Sequence, residues 1–352
     1  MPGNLRIAVL YDPSDNTGGP PPPERVHHKE RRKPGGRRRW HGPERREPID
    51  REQVAEALRA NGYEVFLHEV RDEASLLALA RTKADLVFNM LEAFEGDDSR
   101  EPHVAAFLDL LELRYTGAGP QALFLAQDKA LAKKIFDFHG IRTPRFASSY
   151  RGKLDHVDDL EFPLIVKPAA EDGSVGIDAG AVVRTVREMM ERVSMIQERF
   201  DSPALIEEFI EGREMYVGVL GNDKPVALPV VELDLSRLPK GMPKIAGREV
   251  KWEKGTQAFE VTRSAAAKDL DGETARRLQD TALQVYSALG LRDYGRVDMR
   301  LTPDGRMYVI EANPNPWLAP EAELAIAAAI AGRSYVQLIG QIVELALARY
   351  AA

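Results

Sequence analysis

The 352-residue chain contains no cysteine. Disulfides, thiolate metal centres and a cysteine nucleophile are excluded by that alone. Long hydrophobic runs are also missing. Nothing approaches the roughly 20 apolar residues that span a bilayer. The first apolar stretch, Leu5–Tyr11, is too short for the core of a signal sequence and reads as a buried strand. No membrane partner is expected, and a cytoplasmic location follows. The phosphate-loop pattern G-x-x-x-x-G-K-[ST] does not occur, nor does the G-x-S-x-G elbow of serine hydrolases. The seven histidines are scattered, and no pair has the spacing of a metal site.

What is present is the composition of a globular enzyme, with 44% hydrophobic and 29% charged residues. The length suits two or three lobes around a cleft better than one simple core. The net charge of −7 is unevenly spread. Residues 24–46 hold ten lysines and arginines against three glutamates, which makes that segment +7 and the remainder −14. An acidic body argues against a general nucleic-acid binder. The basic segment lies within Gly18–Glu47, which has a Pro20–Pro23 run, Gly35-Gly36 and no apolar periodicity, so it reads as a loop.

Strand and helix patterns alternate over Leu5–Gly117, which predicts a small doubly wound α/β lobe. In it Asp50 resembles the cap of a helix that stops near Asn61-Gly62. Further on, Gln121–His139 reads as one helix, Pro163–Pro168 as a strand, Thr185–Phe200 as a helix and Ala204–Phe209 as a strand. Glu214–Leu220 and Lys224–Val231 flank a turn at Gly221-Asn222-Asp223. Leu235–Lys254 reads as a long surface loop, of the kind that is functional or disordered inside a domain. A helix at Asp271–Leu289 precedes a hairpin, Gly295–Leu301 and Met307–Ala312, which turns at Thr302–Gly305. Helices near Glu321–Ile330 and Tyr335–Tyr350 finish the chain.

Four groups of residues bear chemistry. The predicted hairpin puts Asp298 roughly opposite Glu311 and Asn313, which lie two apart and therefore point the same way. Two carboxylates and an amide are hard oxygen ligands suited to Mg²⁺ on nucleotide phosphates, although three polar residues on a solvated sheet face would read the same way alone. Lys129 starts a helix after Asp128, and Lys167 closes the apolar strand Leu164-Ile-Val-Lys. A lysine ending a buried strand is costly unless an anion meets it, with snorkelling to water as the competing reading. Asp172-Gly-Ser-Val-Gly176 can bring backbone N–H groups and the Ser174 hydroxyl to phosphates, or be only a turn. Glu207-Glu-Phe-Ile-Glu-Gly-Arg-Glu214 can hold adenine on its apolar pair, or simply join two strands.

In order and spacing these pieces resemble the ATP-grasp superfamily, in its D-alanine–D-alanine ligase-like branch. The likeness runs from about Tyr115 to the end. It rests on Tyr115-Thr-Gly117, Gln127-Asp-Lys129, Ile165-Val-Lys-Pro168, Gly173-Ser-Val-Gly176, Glu207-Glu-Phe-Ile210, Gly295-Arg-Val-Asp298 and Glu311-Ala-Asn313. The resemblance implies an α/β (α+β) ATP-grasp fold in which two lobes clamp ATP behind an N-terminal doubly wound lobe. The implied domains are 1–117, 118–205 and 206–352. It also implies ATP and two Mg²⁺ ions (Mn²⁺ able to substitute), with small-molecule carboxylate and amine substrates and a homodimer as an expected assembly. Lys129 and Lys167 would contact the phosphates, and Glu207, Glu208, Phe209, Ile210 and Glu214 would line the adenosine pocket. Asp298, Glu311 and Asn313 would hold the metals, and Ser174 would sit in the closing loop. Arg296 would face the acyl phosphate, and Lys251 or Lys254 would ride on the lid. Asn315, Trp317 and Glu323 are candidates for the substrate end.

The chain departs from the family's pattern on the substrate side. The family's acidic residue after the first strand falls in the basic Pro-rich segment here. The first of its paired serines is Gly173, and its C-terminal Ser-Leu stands near Ala322-Glu323. The resemblance therefore carries over the ATP half and not the D-alanine half. An amide-forming ligase is the leading expectation. The alternative is a non-catalytic ATP sensor that uses the basic loop to contact a partner.

Overall fold

The structure, a computed structural model, describes residues 5–12, 50–157, 159–171, 173–251, 253 and 255–351. The basic segment Gly18–Glu47, Trp252 and Lys254 lie outside the described residues.

The first lobe contains β1 (Arg6–Tyr11), α1 (Asp50–Ala60), β2 (Glu64–Glu69), α2 (Glu73–Leu79), β3 (Leu86–Asn89) and α3 (Glu101–Leu110). Its three strands are parallel in the order β2-β1-β3, as the strand–helix alternation predicts. Ile7, Ala8, Val9 and Leu10 in the central strand are wholly buried, the continuous apolar run of a strand covered on both faces. Asp50 is the first residue of α1 rather than a residue before it, and its side chain accepts from the Arg51 N–H.

Next come α4 (Pro120–Gln127), α5 (Lys129–Phe138), β4 (Phe146–Tyr150), β5 (Lys153–Val157), β6 (Leu164–Pro168), β7 (Val182–Val183), α6 (Val186–Phe200) and β8 (Ala204–Glu208). The strands form an antiparallel sheet in the order β5-β4-β8-β6-β7. The sequence reading took Gln121–His139 as one helix, but it breaks at Asp128. There the backbone is extended, and the carboxylate accepts from the Leu131 N–H as the cap of α5. The hairpin β4–β5 was not read from sequence.

The remainder is β9 (Arg213–Leu220), β10 (Val226–Ala227), β11 (Val231–Leu233), α7 (Arg248–Lys251), α8 (Gln257–Val261), β12 (Ser264–Ala266), α9 (Gly272–Ala288), β13 (Tyr294–Leu301), β14 (Met307–Asn313), α10 (Glu323–Ile330) and α11 (Tyr335–Ala351). These strands form a third sheet, β12-β11-β9-β13-β14, with β10 added to β9. Every residue of β13, which pairs with β9 on one edge and β14 on the other, is buried. Helix α9 covers this sheet with Leu278, Ala282, Val285 and Tyr286, a spacing that puts all four on one helical face. Leu278 and Val285 each contribute roughly 1.5–3 kcal/mol relative to exposure.

One continuous core joins the first lobe to the third sheet, including Ala8, Val87, Tyr115, Val217 and Val297. On the other side α1 packs on α11, where Asn61 donates to the Val336 carbonyl. A Cβ at Gly340 would lie 2.6 Å from the Asn61 side chain, so the close approach of these helices requires glycine there. Among the described residues no single helix is long and apolar enough to cross a membrane.

Candidate active site

The second and third sheets face each other across a cleft of about 700 Å³ that is open to solvent. Three local structures build its phosphate-like end. The break at Asp128 sets Lys129 at the first position of α5, with its backbone N–H on the Ala169 carbonyl. Its ammonium donates to the Glu171 carbonyl at 2.7 Å and lies 3.7 Å from Glu311. One turn on, Lys133 points to the same side, as residues four apart on a helix do. Its Nζ lies 2.5 Å from Glu207 Oε1 and donates to Thr143 Oγ1 at 2.6 Å. Lys167, near the end of β6, meets the other oxygen of Glu207 at 2.6 Å. Lys129, Lys133, Lys167 and Glu207 are all buried.

One carboxylate between two ammonium groups leaves an excess of positive charge in a dry site. Burial pulls Lys133 down to about 8, against the pull of Glu207. Burial also pushes Glu207 up, but Lys133 and Lys167 outweigh it and hold that carboxylate below its usual range. Lys133 was not singled out in the sequence. The signal available was its position four residues from Lys129 on the same helix. Excess ammonium charge at a cleft wall fits the phosphates of a nucleotide.

The acidic end lies on β13 and β14. Asp298 stands opposite Glu311 in the strand register and Arg296 opposite Asn313, followed by a bulge between Asp298 and Met299. Burial pushes Asp298 up to about 6; Arg296 opposes the rise and Glu311 adds to it. Burial raises Glu311 too, but Lys129, Lys167, Lys251 and Arg296 outweigh it and bring it down to about 2. Among the described residues no three His, Cys, Asp or Glu side chains cluster as a metal site. The donor set is therefore two carboxylates and the Asn313 amide, whose nitrogen is buried without a hydrogen-bond partner among the described residues. A buried carboxylate at Asp298 and a half-buried one at Glu311 that repel one another, with an amide oxygen beside them, fit a hard divalent ion.

Arg296 lies just beyond this pair. It is bidentate to Asp298, at 2.7 and 2.9 Å, and its Nη1 meets Glu323 at 2.8 Å. Its guanidinium carbon lies 5.0 Å from the centre of the Tyr216 ring, and Lys251 lies over the same ring at 5.9 Å.

The Gly-rich loop and the long segment expected as surface loop are laced together over the cleft. Ser174 Oγ donates to the Ala246 carbonyl at 2.8 Å, Arg248 N–H to Ile177, and Ala179 N–H to Glu249. Ser174 adopts φ +63°, a left-handed conformation that costs a non-glycine residue on the order of 1 kcal/mol. Leu235–Lys254 is thus a cover rather than a free surface loop. Ile245, Ala246 and Lys251 line the cleft from it.

The cleft lining brings together Lys129, Lys167, Ser174, Glu207, Glu208, Phe209, Ile210, Glu214, Lys251, Asp298 and Glu311. Glu214 pairs with Arg300 at 2.6 Å, and Glu208 with Arg145 at 2.6 Å. Apolar walls that sequence reasoning missed are Pro144, Ile165, Ile177, Ile245 and Ile310. They come from elements far apart in the chain, and no local spacing marks them.

Asn315 and Trp317 do not line this cleft. The Asn315 amide accepts from Ala118 N–H and donates to Glu101, at 3.0 Å each, which ties the loop after β14 to the first lobe. Gly117 makes room for it, since a Cβ there would lie 2.4 Å from Asn315 Oδ1. Trp317 donates its indole N–H to Asp50 of α1 at 3.0 Å. Asn315 is held in the seam between lobes by these partners, while Trp317 keeps 37% exposure at its rim.

A family model described as the D-ala D-ala ligase C-terminus matches residues 129–344. The chain is 34% identical over 308 residues to the uncharacterized protein y4sG of Sinorhizobium fredii, covering 85% of this chain and 88% of that one. It is 34% identical over 294 residues to a D-alanine–D-alanine ligase of Bordetella petrii, with 83% and 84% covered. The crystal structure of D-alanine–D-alanine ligase from Bacillus anthracis complexed with ATP aligns over 97% of both chains. Its TM-score is 0.69 at 22% identity, a likeness of fold.

Proposed function

Since the chain belongs to the D-alanine–D-alanine ligase family, whose ATP-grasp fold it shares, we propose that it activates a carboxylate with ATP and joins it to an amine. It is an ATP- and Mg²⁺-dependent carboxylate–amine ligase acting on small molecules. The observation that supports the residue roles is the convergence of Lys129, Lys167, Asp298 and Glu311 on one cleft.

A carboxylate is a poor electrophile. Its oxygen attacks the γ-phosphorus of ATP, the bond to ADP breaks, and an acyl phosphate forms. That transfer needs positioning and charge neutralisation more than covalent chemistry. Lys129 and Lys167 hold the phosphates, with Lys133 supporting them through Glu207. Phe209, Ile210 and the isoleucine walls pack on the adenine, with Glu208 and Glu214 beside the adenosine, while the Glu207 carboxylate is held by Lys133 and Lys167. Asp298, Glu311 and Asn313 would hold Mg²⁺, which would supply charge neutralisation for the phosphoryl transfer. The amine then attacks the carbonyl carbon, Arg296 stabilises the oxyanion that develops, and phosphate leaves. Ser174 and the segment carrying Lys251 keep water from the acyl phosphate.

We assign the regions 1–117, 118–205 and 206–352 as the three domains of this machine. The substrate side departs from the family pattern at Gly173 and at Ala322-Glu323, so the product assigned is an amide other than D-alanyl-D-alanine. A cytoplasmic location and a homodimer are part of the same reading. Sedimentation velocity tests the dimer, which would give the exposed Leu110 and Phe138 a surface to meet.

The deciding experiment incubates the protein with ATP, Mg²⁺ and a pooled library of amino acids, carboxylates and amines. ADP release together with a condensed product found by mass is expected. A protein that binds ATP yet releases no ADP in any pool is a sensor instead.

A further inference from the structure

One face of the third sheet carries the acidic end of the cleft. On β9 it is formed by Glu214, Tyr216 and Gly218, which alternate onto one side of the strand. On β13 it is formed by Arg300, Asp298 and Arg296, which stand opposite those three in that order. Tyr216, in the middle of the row, is 1% exposed. Its hydroxyl has no hydrogen-bond partner among the described residues. Burial holds the phenol well above its ordinary range, and Glu214, Glu323 and Asp298 add to the rise, so the side chain is neutral. Its contacts with charge run through the ring. The Arg296 guanidinium carbon lies 5.0 Å from the ring centre and the Lys251 ammonium 5.9 Å from it. The negative face of an aromatic ring attracts cations, most strongly where water is excluded.

The two cations come from different parts of the protein. Arg296 belongs to β13 and is held by Asp298 at 2.7 and 2.9 Å. Lys251 ends α7, in the segment that covers the cleft. That cover is tied to the Gly-rich loop and its continuation through Ser174 and Ala179. Its Lys244 carbonyl accepts from Arg300 at 2.8 Å, and Val250 anchors α7 in the core. These contacts hold the backbone of the cover and leave the direction of the Lys251 side chain open. The Tyr216 ring supplies that direction. From its place over the ring the ammonium acts on Asp298, Glu311 and Glu323 together.

Resting on the ligase reading, in which Arg296 meets the acyl phosphate, we propose that Tyr216 is a positioning residue whose ring seats the Lys251 ammonium of the cover beside Arg296. The ring does this and the hydroxyl does not. Without the ring the cover still lies over the cleft, but Lys251 no longer stays beside Arg296. Water then attacks the acyl carbon before the amine does, and the carboxylate and phosphate are returned separately.

Competitive labelling with acetic anhydride reads the seat without any substrate. Full-length wild type, Tyr216→Phe and Tyr216→Met are labelled alike, and acetylation of Lys251 is scored by mass against Lys240 of the same cover. Y216F keeps the ring, whereas Y216M keeps the bulk without it. The ratio of the Lys251 rate to the Lys240 rate is expected to match wild type in Y216F and to rise at least about fivefold in Y216M, as loss of a modest cation–π contact requires. The three proteins are then given ATP, Mg²⁺ and the substrates found by the pooled screen. ADP released per amide formed is expected to stay within about twofold of wild type in Y216F and to rise at least about fivefold in Y216M.

Equal labelling of Lys251 in all three proteins overturns the proposal. So does a Y216F protein that behaves like Y216M, which would place the effect in the hydroxyl. An unchanged ratio of ADP to amide beside the expected labelling overturns it too, because the seat would then do nothing for the reaction. Should Y216M fail to fold, trifluorophenylalanine in place of Tyr216 keeps the ring's shape while cancelling its attraction for cations, and the same outcomes decide. A wild type that releases no ADP in any pool refutes the ligase reading, and the labelling ratios then decide the seat alone.

Discussion

Replacing Glu207 by Gln tests the electrostatic design of the phosphate end. In the wild type one carboxylate lies between the ammonium groups of Lys133 and Lys167, at 2.5 and 2.6 Å, and all three side chains are almost fully buried. The triad carries a net charge of +1. Burial already brings Lys133 down to about 8 from its ordinary 10.5, a penalty on the order of 3 kcal/mol at about 1.4 kcal/mol per pKa unit. E207Q leaves Lys133 and Lys167 without their shared anion while filling the same volume. Removing one partner of a buried ion pair costs about 3–5 kcal/mol, a large share of a typical stability of roughly 5–15 kcal/mol. The double variant K133M/E207Q removes the stranded Lys133 amine and should recover at least about 1 kcal/mol of that loss. Urea unfolding of wild type, both single variants and the double variant at pH 6, well below the Lys133 value of about 8, reads these differences. An E207Q protein within about 1 kcal/mol of wild type, or a double variant no more stable than E207Q, would refute the reasoning.

Lys133 also predicts a pH dependence. Its folded pKa of about 8 lies below the unfolded value, so between about 8 and 10.5 the unfolded chain holds a proton that the folded chain does not. Stability should therefore climb across that window in wild type and climb less in K133M, as urea midpoints taken from pH 7 to 10.5 will record. Glu311→Gln removes a charge that we assign to the metal site. Turnover is expected to fall at least about a hundredfold with the far-ultraviolet spectrum unchanged, whereas an E311Q enzyme within tenfold of wild type would remove Glu311 from that role. Ser174→Ala deletes the hydrogen bond to Ala246 that holds the two covering segments together. It should raise the ADP released per product formed, because water then reaches the acyl phosphate; an unchanged ratio would show that this contact excludes no water.

The sequence was most informative where chemistry follows a short-range rule. The alternation of side chains along strands and the turn at Thr302–Gly305 were enough to pair Asp298 with Glu311, and the register agrees. Likewise the apolar strand ending in Lys167 announced a buried cation. Legibility failed where a local pattern had two readings or where the partner was distant. Gln121–His139 has helical composition throughout, and only the capping geometry of Asp128 breaks it. Leu235–Lys254 lacks periodicity, so its local pattern read as a surface loop and only the family resemblance marked it as a lid; the contacts of its described part with Ser174, Ile177 and Ala179 are distant in the chain. Asn315 and Trp317 sit close in sequence to the metal-site strand, but their partners, Ala118, Glu101 and Asp50, are some two hundred residues away.

The central claim is that ATP activates a carboxylate by transferring its terminal phosphoryl group. Oxygen-18 in that carboxylate follows the bond directly. With substrate labelled in both carboxyl oxygens, one labelled oxygen should appear in each phosphate released, and the amide product should retain the other. Label found in AMP, or phosphate released without label while amide forms, would contradict the account.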